Sequence, residues 1–242
     1  MSASSPDVGA IVVAAGSSTR MGDPSTGSGQ ATDKLFVSMA GRPLLAHVLA
    51  PVQECPLIHR IVLVVSSDNL QRGRDLVAQH GLDKVSAVCQ GGPRRQDSVR
   101  LGLEALGLCD WVLVHDGARL LIEPVISEGL AAARETGAAV PAVPIADTVK
   151  MASPDGAIAS TVDRSRLWAA QTPQVFRYDL LMRAHREVTA DVTDDAAMAE
   201  ALGLPVKLYP GSPLNIKVTK PEDLRLAEAL LREAARSGGR RH

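Results

Sequence analysis

Short apolar runs alternate along this chain with stretches in which apolar residues recur three and four positions apart. The runs Ile11–Ala15, Ile61–Val65, Val85–Cys89, Trp111–His115 and Ala138–Val143 are brief and mostly rich in β-branched residues, so they read as strands. Between them Pro43–Glu54, Asn69–His80, Arg94–Leu106 and Pro124–Thr136 carry the helical period, with Pro43 at a helix start and Gly81 just past a helix end. This alternation predicts an α/β fold, a Rossmann-like, mostly parallel, doubly wound sheet.

The rhythm breaks between Pro144 and Pro173. There Val149–Ala152 and Ala157–Ser160 flank the turn sequence Ser153-Pro154-Asp155-Gly156, which predicts a β-hairpin. A two-stranded hairpin is marginal alone, so this protruding arm is expected to lie against another surface, and a second copy in a homodimer is the simplest one. Helices at about Tyr178–Val188 and Thr193–Leu202, a strand at Pro205–Tyr209 and a last helix complete the pattern. Thr219-Lys220-Pro221-Glu222 has capping-box spacing for that last helix. The expectation is one domain over residues 8–236, with 144–173 as a dimerisation arm and disordered termini at 1–7 and 237–242. The polar stretch Gly22–Thr32 reads as a mobile lid.

Composition narrows the function. The 242 residues carry a formal net charge of −1 and only 2 % aromatics, so neither a basic nucleic-acid surface nor a base-stacking platform is expected. Cys55, Cys89 and Cys109 are odd in number and widely spaced, which reads as reduced thiols in a cytoplasmic protein. No apolar run approaches a membrane span and the first residues lack the basic region of a signal peptide, so no membrane partner is expected.

Any anion site must then be built locally. Ala14-Ala15-Gly16-Ser17-Ser18-Thr19-Arg20 follows an apolar strand with a turn, small side chains and a permanent cation, the ingredients of a phosphate loop. It is neither a Walker loop nor a complete Gly-x-Gly-x-x-Gly fingerprint. Asp116 in His115-Asp116-Gly117-Ala118-Arg119 falls at a strand's carboxyl end, where a carboxylate can hold Mg²⁺, although Asp-Gly there is also an ordinary turn. Gly91-Gly92-Pro93-Arg94-Arg95-Gln96-Asp97-Ser98 reads either as a close-approach loop for a ligand or as a loop with helix-capping residues. Lys217, inside apolar Asn215–Thr219, calls for a nearby anion unless it snorkels to the surface.

Taken in order, Ala-Ala-Gly-x-x-x-Arg-Met-Gly, Gly-Gly-x-x-Arg-x-Asp-Ser-Val, Val-His-Asp-Gly-Ala-Arg, Asp-Thr-Val-Lys, Val-Asp-Arg, Gln-Thr-Pro-Gln and Asn-Ile-Lys-Val-Thr are far more specific. Together they resemble the 2-C-methyl-D-erythritol 4-phosphate cytidylyltransferases of non-mevalonate isoprenoid biosynthesis, within the nucleoside triphosphate sugar-phosphate nucleotidyltransferases, over about residues 8–235. The resemblance implies transfer of CMP from CTP to methylerythritol phosphate with Mg²⁺ as cofactor. It implies that Arg20 and Lys34 stabilise the transition state, that Asp116 binds the metal, and that Arg164 and Lys217 orient the polyol phosphate with Arg119, Thr148 and Thr172. The cytidine site would use Ala14, Ala15, Gly16, Gly91, Gly92, Ser98, Gly117 and Ala118. In that family the arm exchanges between two subunits, which would let Thr148 and Arg164 serve the neighbour's site. The sequence departs from the family's habit at Ser18, usually Gly, and in the long stretch between Met21 and Lys34. A ribitol 5-phosphate cytidylyltransferase shares many of these motifs. A Rossmann dehydrogenase would need a third glycine and a ribose-binding acid, for which Asp68 is the nearby candidate. A non-catalytic nucleotide-binding module would leave Arg20 and Lys34 without a purpose.

Overall fold

The structure, a computed structural model, describes residues 5–16, 33–120 and 125–238. The elements begin with β1 (Val8–Ala14), a 3-10 turn at Lys34–Phe36, the small ladder of β2 (Ser38–Met39) with β3 (Arg42–Pro43), and α1 (Leu44–Glu54). Then come β4 (Arg60–Val65), α2 (Leu70–Gln79), β5 (Val85–Gln90), α3 (Arg95–Leu106), β6 (Trp111–Asp116), α4 (Val125–Thr136) and β7 (Ala138–Pro144). The arm carries β8 (Lys150–Ala152) and β9 (Ile158–Thr161), and the chain ends through β10 (Trp168–Ala170), β11 (Gln174–Arg177), α5 (Tyr178–Glu187), α6 (Asp195–Ala201), β12 (Lys207–Pro210) and α7 (Pro221–Gly238).

The predicted strands are there because they are apolar on both faces. In β1, Ala10, Val12 and Ala14 pack into a cluster with α1, α4 and α7, while Ile11 faces α3, α5 and α6. Alternate residues therefore anchor helices on opposite sides, as a doubly wound sheet requires. The strands run in the order β10-β7-β11-β6-β1-β4-β5, with β12 also on β7. β1 pairs in parallel with both β4 and β6. The chain order thus reverses on either side of β1, opening a crevice beyond the carboxyl ends of β1 and β6.

The sheet is mixed beyond β6. β11, which the apolar pattern did not reveal, runs antiparallel between β6 and β7, and β10 pairs antiparallel with β7. Residues 168–173, expected within the arm, therefore belong to the body: Gln171, Thr172 and Gln174 are all buried, and Thr172–Pro173 is a cis peptide. The hairpin itself is as expected, with β8 paired to β9 and a turn closed by Gly156 N–H donating to Ser153 O at 2.9 Å. Met151 and Ile158 on it are 58 % and 67 % exposed, an apolar face that this chain leaves uncovered.

Some boundaries move. Asp7, expected in a disordered start, accepts from Arg60 Nη2 at 2.7 Å and donates its N–H to Asp110 at 2.7 Å. The last helix continues to Gly238, into the expected tail. Its cap is Asp223 and not Glu222, because the Asp223 carboxylate accepts from the N–H groups of Thr219 and Lys220 and from the Thr219 hydroxyl. The predicted lid over 22–32 lies outside the described residues, as do 1–4 and 239–242.

Candidate functional site

The crevice is a cavity of about 500 Å³ lined by Ala14, Ala15 and Gly16 after β1, Lys34 and Leu35 from the 3-10 turn, Gly92 to Arg95 and Ser98 around the α3 start, Asp116 and Ala118 after β6, and Lys217. Topology thus brings together residues that are far apart in sequence. Arg20 lies outside the described residues.

Asp116 is the centre. Its Oδ2 accepts from Lys217 Nζ at 2.7 Å and its Oδ1 from Arg95 Nε at 3.2 Å. Burial alone would raise its pKa, but the two cations override that and hold the carboxyl well below the ordinary range. The anion that Lys217 called for is therefore Asp116. Arg95 reaches on to Asp195, buried at the start of α6, at 2.8 Å. Coulombic attraction from both carboxylates outweighs desolvation and raises the Arg95 pKa, so it is a permanent cation.

Beneath Asp116 runs a chain of hydrogen bonds. Asp116 N–H donates to Thr172 Oγ1 at 3.1 Å, Thr172 Oγ1 lies 2.9 Å from His115 Nδ1, and His115 Nε2 lies 3.0 Å from Arg119 O. A carbonyl only accepts, so the Nε2 proton points at Arg119 O and the Thr172 hydroxyl donates to Nδ1. Burial keeps His115 neutral by lowering its pKa to about 4. Asn215 Nδ2 donates to Thr172 O at 2.8 Å and Arg119 Nη1 donates to Asn215 O at 2.6 Å. The motifs around residues 115, 172 and 215 are thus knitted into one support for Asp116 and Lys217. Thr172, expected to bind substrate, is 4 % exposed and its hydroxyl accepts from Asp116 N–H and donates to His115.

Two of the glycines have a packing role. A Cβ on Gly91 would stand 2.3 Å from Ala15 Cβ, and one on Gly117 would stand 2.8 Å from Ala14 Cβ. Both glycines let neighbouring strand ends meet, and the floor beside Ala14 and Ala15 is tight for that reason. Around Gly16 the space is open, with nothing within 4 Å of an added Cβ. Ser98 Oγ accepts the Gly92 N–H at 3.1 Å and so shapes the 91–94 loop. Arg94 is tied to Asp97 and Asp191, each at 2.7–2.8 Å, the loop-capping alternative for that pair. Thr148 and Arg164 are exposed on the arm and do not line this chain's cavity; Arg164 donates to Ala146 O.

A family model described as IspD, 2-C-methyl-D-erythritol 4-phosphate cytidylyltransferase, matches residues 8–233. The chain belongs to this family. A 2-C-methyl-D-erythritol 4-phosphate cytidylyltransferase of Dehalococcoides mccartyi is 52 % identical, over 93 % of this chain and 96 % of the relative. The 4-diphosphocytidyl-2C-methyl-D-erythritol synthase structure from Anaerococcus prevotii superposes with a TM-score of 0.80 at 27 % identity, covering 94 % of this chain and 97 % of that one. The Thermus thermophilus cytidylyltransferase structure gives 0.74 at 32 %, covering 93 % and 99 %. The chain is accordingly a nucleotidyltransferase of the cytidylyltransferase class, and nothing in these likenesses favours ribitol phosphate.

Residues around this cavity that sequence reading passed over are His115, Arg95 and Asp195. The first two sat inside recognised motifs. Asp195 had no signal, because its partner Arg95 is 100 residues away.

Among the described residues no three His, Cys, Asp or Glu side chains gather as a metal cage. A single ionised carboxylate facing a cationic cavity nevertheless fits Mg²⁺, which commonly uses one or two carboxylates together with substrate phosphates and water.

Proposed function

We propose that the crevice transfers CMP from CTP to 2-C-methyl-D-erythritol 4-phosphate, releasing pyrophosphate, with Mg²⁺ carried at Asp116. The observation that supports this best is Asp116 held between Lys217 and Arg95 in a cavity that Lys34 and Arg94 also line. Such a site neutralises a triphosphate more readily than it moves protons, which suits phosphoryl-type displacement.

A phosphate oxygen of the polyol attacks the α-phosphorus of CTP in line, the bond to the β-phosphate breaks, and pyrophosphate leaves with the electron pair. Lys34, with Arg20, stabilises charge on the triphosphate. Lys217 and Arg119 receive the polyol phosphate, and Ala14, Ala15, Gly16, Gly92 and Ala118 accommodate the nucleoside. Asp116 would hold Mg²⁺, which supplies charge neutralisation at the phosphate oxygens. Lys217 and Arg95 keep that carboxylate ionised and aimed into the cavity beforehand.

The reading includes a homodimer in which the arm of a second copy brings Thr148 and Arg164 to this cavity. The exposed Met151 and Ile158, and the distance of both polar residues from the chain's own cavity wall, support it. A cytoplasmic setting is supported by the three free cysteines, of which burial raises the pKa of Cys89 and pushes Cys109 up to about 11. Pyrophosphate release from CTP, UTP, ATP and GTP, each with methylerythritol phosphate or ribitol 5-phosphate, tests the assignment. The expected result is strong selection for CTP and methylerythritol phosphate; equal turnover with ATP, or preference for ribitol phosphate, would overturn it.

A further inference from the structure

Lys34 lines the cavity from a 3-10 turn, and the side chains that hold this turn come from a distant part of the sequence. Asp33 caps it, Oδ1 accepting the Leu35 N–H at 3.0 Å, and its Oδ2 accepts from Asn69 Nδ2 at 2.6 Å. Asn69 is 7 % exposed, and its side chain is fully used: Nδ2 also donates to Ser66 Oγ at 3.0 Å, and Oδ1 accepts from Arg72 Nη1 at 3.2 Å. Arg72 in turn stacks its guanidinium 4.0 Å above the Phe36 ring, at the other end of the same turn. Leu35, between them, is buried in the core.

We propose that Asn69 and Arg72 are positioning residues for Lys34, setting the location of the reactive lysine through Asp33 and Phe36 without touching the cavity. This rests on the role given to Lys34 above. Neither Asn69 nor Arg72 lines the cavity, so their effect on the reaction passes through the turn. A cap hydrogen-bonded at both carboxylate oxygens holds the backbone of residues 33–36 in one place whatever the length of the stretch before it. Displacement of a reacting group by about 1 Å can cost about a hundredfold in rate, so partial loosening has a measurable consequence.

The test is a double-mutant cycle on the full chain, with CTP and methylerythritol phosphate as substrates and CTP affinity measured separately by calorimetry. Asn69→Ala should lower kcat about tenfold while changing the CTP dissociation constant less than about twofold. In a Lys34→Ala background the same substitution should cost less than about twofold more, because the residue it positions is gone. An equal loss in both backgrounds, or none in either, overturns the proposal. Arg72→Ala, at an exposed position, repeats the cycle should Asn69→Ala fail to fold, and the same non-additivity is required of it. Absence of any turnover by the unmutated protein refutes the proposed function instead, and full turnover by Lys34→Ala refutes the role of the lysine.

Discussion

Gly91→Ala and Gly16→Ala add the same methyl group to two glycines, one beside the cavity and one lining it, and the structure expects opposite consequences. At Gly91 the new Cβ would lie 2.3 Å from Ala15 Cβ and 2.7 Å from Ser98 Oγ, so the strand ends that meet there must part by more than about 1 Å to restore ordinary contact. Both neighbours are held from behind, Ala15 by the buried end of β1 and Ser98 by Gly92 and the first turn of α3. Overpacking of this kind costs about 1–3 kcal/mol. For a domain of this size that is roughly 2–12 °C in melting temperature. At Gly16 an added Cβ meets nothing within 4 Å and the backbone is outside the left-handed region, so stability should hold within about 0.5 kcal/mol. If a nucleotide approaches Gly16 closely, this second variant should instead lose CTP affinity. Thermal denaturation and calorimetric CTP titration of both proteins read the two effects separately. A Gly91→Ala protein as stable as the parent would refute the claim that this glycine serves the fold, and a Gly16→Ala protein with unaltered CTP binding would refute the nucleotide's approach there.

Lys34→Ala should reduce turnover by about a hundredfold, roughly 3 kcal/mol, with little change in CTP affinity, because its charge acts on the transition state; steady-state rates beside binding isotherms check this. Mixing inactive Arg164→Ala with inactive Lys34→Ala subunits should restore activity if the arm completes the partner's site, since one cavity per heterodimer is then intact; verified heterodimers without activity would sink the shared site. For the nucleotide- and metal-free protein, burial lowers the His115 pKa in the fold from 6.5 to about 4, so the fold prefers the neutral ring. Its contribution is complete above pH 6.5 and is lost as pH falls toward 4, by about 2 kcal/mol at pH 5. Urea titrations at pH 7.5 and 5 should show that loss, and His115→Gln should remove that part of the pH dependence.

β1, β4, β6 and β7 were legible because burial leaves continuous apolar runs, edge strand β5 because Val85–Cys89 is mostly apolar, and the four helices that connect these five strands because helical packing leaves a period. β11 was not, since it presents only four residues, of which Val175 and Phe176 are the buried apolar pair, and it begins in the polar Gln171–Gln174 segment. The capping acid slipped by one residue because Thr219 is followed by two acids, Glu222 and Asp223, and only geometry chooses between them. Glycine motifs marked the right place for a partly different reason: smallness at 91 and 117 admits the neighbouring strand, and sequence alone cannot separate that from room for a ligand. Asn69 and Asp195 were illegible because their partners, Asp33 and Arg95, become neighbours only through the winding of the sheet.

The arm leaves and rejoins the sheet at one rung, where Trp168 faces Pro144 across the β7–β10 ladder. Everything between those two residues is therefore a closed excursion whose ends stand a single strand spacing apart, about 5 Å. Insertions, deletions or wholesale replacement within it need not propagate into the strands that carry Asp116 and Ala14. The fold of the sheet and the composition of the arm are thus separable problems: a change inside the excursion is expected to act on what the arm touches, through residues such as Thr148 and Arg164, and to leave the packing of the sheet as it was.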